Sequence, residues 1–246
     1  MTLEQYLLEI EKFVKDYLEN SHMKKYVLGL SGGVDSTLVA AIVRKSLGKD
    51  KLLCVNIPIE SHPSDNKDAY QVAKELDLEI VTFDGTEMFL AALKEYQKLG
   101  IELDRGTRSN LKCRIRMSIL YAFAQKENGL VIGTDNADEK YTGYFTKYGD
   151  GGVDLLPIAY LLKGEVHKAC QLYGVSDYLA LRTPSAGLFE GQTDEKEMGV
   201  TYEDLDNYLL GKEVAEDVKK RIEHLHKISA HKRDPIPTPI AFKRDV

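Results

Sequence analysis

Residues 26–36 read YVLGLSGGVDS: a short apolar run, a Ser-Gly-Gly turn, then Val34, Asp35 and Ser36 leading into the helix-forming stretch 37–47. An apolar run of that length ending at glycines predicts a buried strand, and the end of a strand that feeds a helix is where α/β sheets bind ligands. Gly32 and Gly33 reach backbone angles closed to other residues. Successive N–H groups can therefore converge on an anion while the following helix adds its positive pole. Ser31 and Ser36 place two hydroxyls beside the same point. No Gly-Lys-Ser/Thr follows, so this is not a Walker loop. Asp35 stands where its carboxylate would repel a phosphate. A divalent cation between the two resolves that repulsion, and oxygen ligands suit magnesium.

Outward from this stretch the same alternation repeats. Leu3, Leu7, Ile10, Val14, Tyr17 and Leu18 follow a 3.6-residue period and predict an opening amphipathic helix. Further strands are predicted at 52–57, 79–83 and 130–133, with helices at 65–76, 86–99 and 107–126. That order predicts a doubly wound parallel sheet with flanking helices. Residues 134–154 form a connection too long for a simple joint, and such loops bind ligands. A helix is predicted at 163–173, then a polar, Pro- and Gly-broken segment at 183–200 that reads as a lid, then helices at 202–210 and 212–231.

The chain has 246 residues, and at about 150 residues per domain this favours one domain over two. Lys and Arg number 33 against 39 Asp and Glu, a formal net charge of −6, which argues against nucleic acid as a partner. The three cysteines, Cys54, Cys113 and Cys170, form no Cys-x-x-Cys pair, and a reducing cytoplasm is the expected compartment. No apolar run approaches the roughly 18 residues of a membrane span.

The connection 133–158 reads GTDNADEKYTGYFTKYGDGGVDLLPI. Asp135, Asp138, Glu139, Asp150 and Asp154 lie there with Tyr141, Tyr144, Phe145 and Tyr148, so metal coordination and ring stacking are both available. SGGVDS resembles the loop of the pyrophosphatase-loop ATP hydrolases, the adenine nucleotide α-hydrolase-like superfamily, which generally cleave ATP to AMP and pyrophosphate. The 133–158 segment is similar over its length to that of ammonia-dependent NAD synthetases. The likeness extends to Asn110, Arg114, Arg116 and Met117, to Lys163, to 184–186 and 191–195, and to 231–233.

The resemblance implies amidation of deamido-NAD (nicotinic acid adenine dinucleotide) by ammonia, with ATP consumed to AMP and pyrophosphate through an adenylated carboxylate. It also implies a homodimer with dinucleotide sites at the subunit interface, and a single domain over 1–246 with no glutamine amidohydrolase domain. Carried over by position, Gly29, Ser31, Gly32, Gly33, Val34, Asp35, Ser36, Thr134, Lys163 and Ser185 would hold ATP. Asp35 and Glu139 would be magnesium ligands. Asn110, Arg114, Tyr144, Lys147, Asp154, His231 and Lys232 would contact deamido-NAD. Asp150 and Lys163 would be catalytic, Asp150 by orienting ammonia. The helix bearing Asn110, Arg114 and Arg116 is apolar on much of its circumference, so its arginines are expected to be embedded and to need anionic partners. Loop 58–65 lacks the Gly and Gln found in many relatives, which leaves the grip on adenine and ribose open. Another adenylating enzyme of the same loop class and a nucleotide-binding regulator without turnover are the competing readings.

Overall fold

The computed structural model describes residues 1–61, 63–181, 193–242 and 244, with 63–65 as backbone only. Four parallel strands, β1 (Tyr26–Gly29), β2 (Leu52–Asn56), β3 (Ile80–Thr82) and β4 (Leu130–Val131), lie in the order β3-β2-β1-β4. Tyr26 pairs with Leu52 on one side and Leu130 on the other, and Cys54 pairs with Ile80. The sequence-derived strands are thus all present in one sheet.

The helices are α1 (Leu3–Asn20), α2 (Val34–Leu47), α3 (Pro63–Glu75), α4 (Thr86–Lys98), α5 (Arg105–Glu127), α6 (Ala137–Thr142), α7 (Lys163–Leu172), α8 (Asp177–Ala180), α9 (Asp194–Met198), α10 (Tyr202–Leu209), α11 (Glu216–Ile228) and α12 (Ala230–Arg233). Alternation along β1 sorts them onto the two faces. Tyr26, Leu28 and Leu30 pack with residues of α1, α2 and α7, whereas Val27 packs with Phe89 of α4 and Ile119 of α5. Chain order reverses between β1 and β4: successive strands run outward from β1 through β2 to β3, then the chain returns to the other side. A crevice opens at such a reversal, beyond the carboxyl ends of the strands.

Three readings change. The connection 134–154 contains α6, because Asn136 and Glu139 form a reciprocal capping box and Gly143 closes the helix in the left-handed region. The stretch 212–231 is two helices: α11 ends at Ser229, whose side chain lies under Gly143, where an added Cβ would sit 2.2 Å from the Ser229 Cβ. The α5 helix is half-buried, and Asn110 and Arg114 are exposed, because one face packs on the sheet while the other faces out. Among the described residues no helix is long and apolar enough to cross a membrane.

Candidate active site

β1 ends at Gly29, and the backbone then turns at Gly32 with φ +81°. A Cβ on Gly32 would lie 2.6 Å from the Asp68 Cβ and 2.7 Å from the Ala69 nitrogen, so only glycine fits. Gly33 is the N-cap of α2 and offers no side-chain acceptor, which leaves the first-turn N–H groups open. Ser31 Oγ accepts from the Gly33 N–H at 3.2 Å and lies 3.2 Å from Ser36 Oγ, and Ser36 donates to the Gly33 carbonyl. Backbone amides, two hydroxyls and a helix pole together form a cradle for an anion.

The chain leaving β4, next to β1, supplies the opposing side. Thr134 and Asp135 line the crevice, and Asn136 donates through Nδ2 to Asp35 Oδ1 at 2.9 Å. The Lys163 ammonium, 2% exposed, lies 2.5 Å from Asp35 Oδ2 and 3.6 Å from Glu139 Oε1. Burial works to lower the pKa of this lysine, but Asp35 and Glu139 more than offset it and hold the amine charged. Burial, then the charge of Asp35, push Glu139 up to about 8. The Tyr202 hydroxyl donates to Asp194 Oδ2 at 3.0 Å and stands 3.4 Å from Glu139, with the Lys163 ammonium 4.7 Å from its ring centre. Lys163 is positioned from its own backbone as well: its N–H donates to Asp138 at 2.7 Å and to Asp206 at 3.2 Å.

One cavity of about 270 Å³ joins these parts; of the residues expected to bind ATP or metal, Gly29, Ser31, Gly33, Val34, Asp35, Ser36, Thr134, Glu139 and Lys163 line it. Gly32 forms the turn between lining residues, and Ser185 lies outside the described residues. Tyr144 and Asp150 also line the cavity. The Tyr144 hydroxyl reaches Glu197 at 2.6 Å, and Asp150 accepts the Thr146 N–H at 2.9 Å. Burial raises the Asp150 carboxyl above its ordinary range.

Asn110, Arg114, Lys147, His231 and Lys232 are not among the residues lining this cavity, and hydrogen bonds tie them to one another or to the 143–146 segment. Thr146 donates to Asn110 at 2.8 Å, Arg114 Nε to the Lys147 carbonyl at 3.3 Å, and Lys147 Nζ to the His231 carbonyl at 2.5 Å. Lys232 donates to the carbonyls of Gly143 and Phe145, and with His231 it borders a second cavity of about 310 Å³ that shares Tyr144 with the first. Asp154 is placed elsewhere: its carboxylate accepts the Val131 N–H at 2.7 Å and the Tyr121 hydroxyl at 3.2 Å, which closes the end of β4.

Asn136, Tyr202 and Asp206 were not singled out by sequence reasoning. Asn136 had a readable signal, the Asn-x-x-Glu capping box; Tyr202 and Asp206 reach Lys163 only through the fold. Arg116 lines the cavity and donates to the Ile57 carbonyl at 3.0 Å and to Ser61 at 3.3 Å.

Asp35 and Glu139 fit a magnesium ion by chemistry. Both are hard oxygen donors, both already share one cation, and burial with the charge of Asp35 raises the Glu139 carboxyl, a repulsion that a shared cation relieves. Among the described residues no three Asp, Glu, His or Cys side chains cluster as a metal cage.

The NAD synthase family model matches residues 6–236. The chain is 44% identical over 242 residues to an NH(3)-dependent NAD(+) synthetase of Alkaliphilus metalliredigens, covering 94% of this chain and 98% of that one. It is 41% identical over 244 residues to the corresponding Mesoplasma florum synthetase, covering 99% and 100%. Its fold matches the solved NMN synthetase of Francisella tularensis with TM-score 0.92 and 36% identity, over 98% of this chain and all of that one. With the strand order, the glycine cradle and these full-length matches in agreement, the chain belongs to the NAD synthase family.

Proposed function

We propose that the cleft converts a pyridine carboxylate to an amide: ATP adenylates deamido-NAD, and ammonia displaces AMP to give NAD. A carboxylate oxygen attacks the α-phosphorus and pyrophosphate leaves; the ammonia lone pair then attacks the acyl carbon and AMP leaves with the C–O electron pair. The α2 amides with Ser31 and Ser36 hold the departing pyrophosphate, and Lys163 offsets charge growing on the phosphates. Asp35 and Glu139 would hold magnesium, which when bound neutralises phosphate charge. Asp150 orients the ammonia, Tyr144 offers its ring to the pyridine, and Thr134 and Ser185 contact ATP.

The observation that carries this reading is the Lys163 ammonium bridging Asp35 and Glu139 directly across one cavity from the open amides of α2. The flank of Asn110, Arg114, Lys147, His231 and Lys232 serves the dinucleotide at the interface of a homodimer, and Asp154 contributes from the end of β4. The exposed Phe13 and Tyr17 of α1 support an apolar subunit contact. Such an enzyme works in the cytoplasm.

A second reading concerns acceptor length. The likeness to an NMN synthetase at TM-score 0.92 favours the mononucleotide, nicotinic acid mononucleotide, as an alternative acceptor for the same chemistry. Both readings are tested by incubating the chain with magnesium, ATP and ammonium, with either acceptor, and following amide and AMP together; glutamine replaces ammonium in a parallel series. Equal amide and AMP with deamido-NAD and ammonium is expected. Higher kcat/KM with the mononucleotide would reassign the substrate, and no AMP with either acceptor would end the amidation reading.

A further inference from the structure

Asp135 has no part in the chemistry above, yet it is the most anomalous acid in the cleft. Each other acid of the segment has a donor: Asp138 takes the Lys163 N–H, Glu139 the Asn136 N–H, Asp150 the Thr146 N–H and Asp154 the Val131 N–H. The Asp135 side chain is 5% exposed and lines the cavity that also holds Asp35 and Lys163, and among the described residues none donates a hydrogen bond to its carboxyl. The cleft lysines are committed elsewhere. Lys163 lies between Asp35 and Glu139, and Lys232 donates to the Gly143 and Phe145 carbonyls. Burial, then the charges of Asp150, Glu139 and Asp35, push Asp135 well above the usual carboxylate range, and the Lys232 ammonium offsets only part of that push. A buried carboxyl without a donor is costly, and a small cation bearing N–H groups relieves both the missing hydrogen bonds and the repulsion.

We propose that Asp135 is an ammonium-binding residue of the cleft, holding the cation jointly with Asp150 for delivery to the activated carboxyl. This rests on the amidation reading. Asp135 and Asp150 line the same cavity as Tyr144, the residue whose ring is proposed to meet the acceptor. Ammonium gives one proton to the Asp135 carboxylate and becomes ammonia. The lone pair forms the C–N bond as the C–O bond to AMP breaks, and the second proton leaves nitrogen for the Asp150 carboxylate. Four N–H bonds in the cation become two in the amide, with one proton on each carboxyl.

The test is Asp135→Asn in the full chain with magnesium. Acceptor-dependent exchange of pyrophosphate into ATP reads adenylation alone and is expected to persist. The KM for ammonium should rise about 10- to 100-fold, the loss of a charge-assisted hydrogen bond. Hydroxylamine, neutral at the same pH, should be used nearly as well as by the unmodified protein. The thermal midpoint should hold or rise, since the carboxyl has no partner to lose, and ammonium chloride should stabilise the unmodified protein more than sodium chloride but not Asp135→Asn. An unchanged ammonium KM, equal losses with ammonium and hydroxylamine, a shifted magnesium requirement in their place, or a variant that unfolds would each overturn the proposal. Absence of exchange in the unmodified protein would instead overturn the amidation reading, while the salt-specific stabilisation would still test Asp135.

Discussion

The loops that follow β1 and β4 leave neighbouring strands at the same edge of the sheet, but they build their halves of the cleft by different means. The β1 loop works through its backbone: Gly32 turns at φ +81° against Asp68, and α2 presents open amides within a few residues. The β4 loop works through side chains that need distant support. Glu139 and Asp35 are held by Lys163 of α7, and Tyr202 of α10 braces Glu139 and Asp194. A site made of backbone is encoded locally, whereas a site made of charges depends on what the fold brings to neutralise them.

The largest expected break in this contrast comes from Lys163→Met. Removing the cation leaves Asp35 and Glu139 facing each other, so turnover should fall about 10³-fold and unfolding free energy by about 3–5 kcal/mol. Pyrophosphate release and urea denaturation measure the two; a variant near parental in both would show that the carboxylates do not depend on this lysine. Gly32→Ala tests the backbone side. Positive φ alone costs about 1–3 kcal/mol in a residue with a Cβ, and contact with Asp68 adds to it, so stability and ATP binding should fall together.

Tyr202→Phe sharpens the comparison, because the one hydroxyl it deletes bonds Asp194 and Glu139. A stability loss of about 1–3 kcal/mol is expected, with kcat lowered more than the KM for ATP. Equal loss in ATP binding would mean that the two halves are not separable.

The smallest effect concerns pH. Burial, then the charge of Asp206, push Asp138 up to about 7 from an ordinary value near 3.8. The native state therefore binds more protons than the unfolded chain between those values, and this acid's contribution to stability is lost as pH rises through that window. The slope for one proton is at most about 1.4 kcal/mol per pH unit. Asp138→Asn keeps an acceptor for the Lys163 N–H and should flatten the fall, so its stability relative to the parent should improve from pH 5 to pH 8. Parallel stability curves for the two proteins would remove Asp138 from the account.

Periodicity located the strands and most helices, since buried apolar runs leave a local signature. It missed α6, whose signal was the cap formed by Asn136 and Glu139 rather than a hydrophobic stripe. It also ran α11 into α12, which part at Ser229, where the Gly143 backbone, far away in the chain, packs against the Ser229 side chain. Arg114 was expected to be embedded, yet α5 covers the sheet with one face only.

Sequence alone determined the alternating parallel architecture and the glycine cradle with Asp35 beside it, because strand burial, glycine freedom and helix polarity act over a few residues. Tertiary structure decided that Lys163 neutralises Asp35 and Glu139, that Asp154 closes β4, and that Asp135 is left without a donor among the described residues. Those outcomes depend on which charges and N–H groups meet in a space of low polarity, and only the folded chain brings them within a few ångströms of each other.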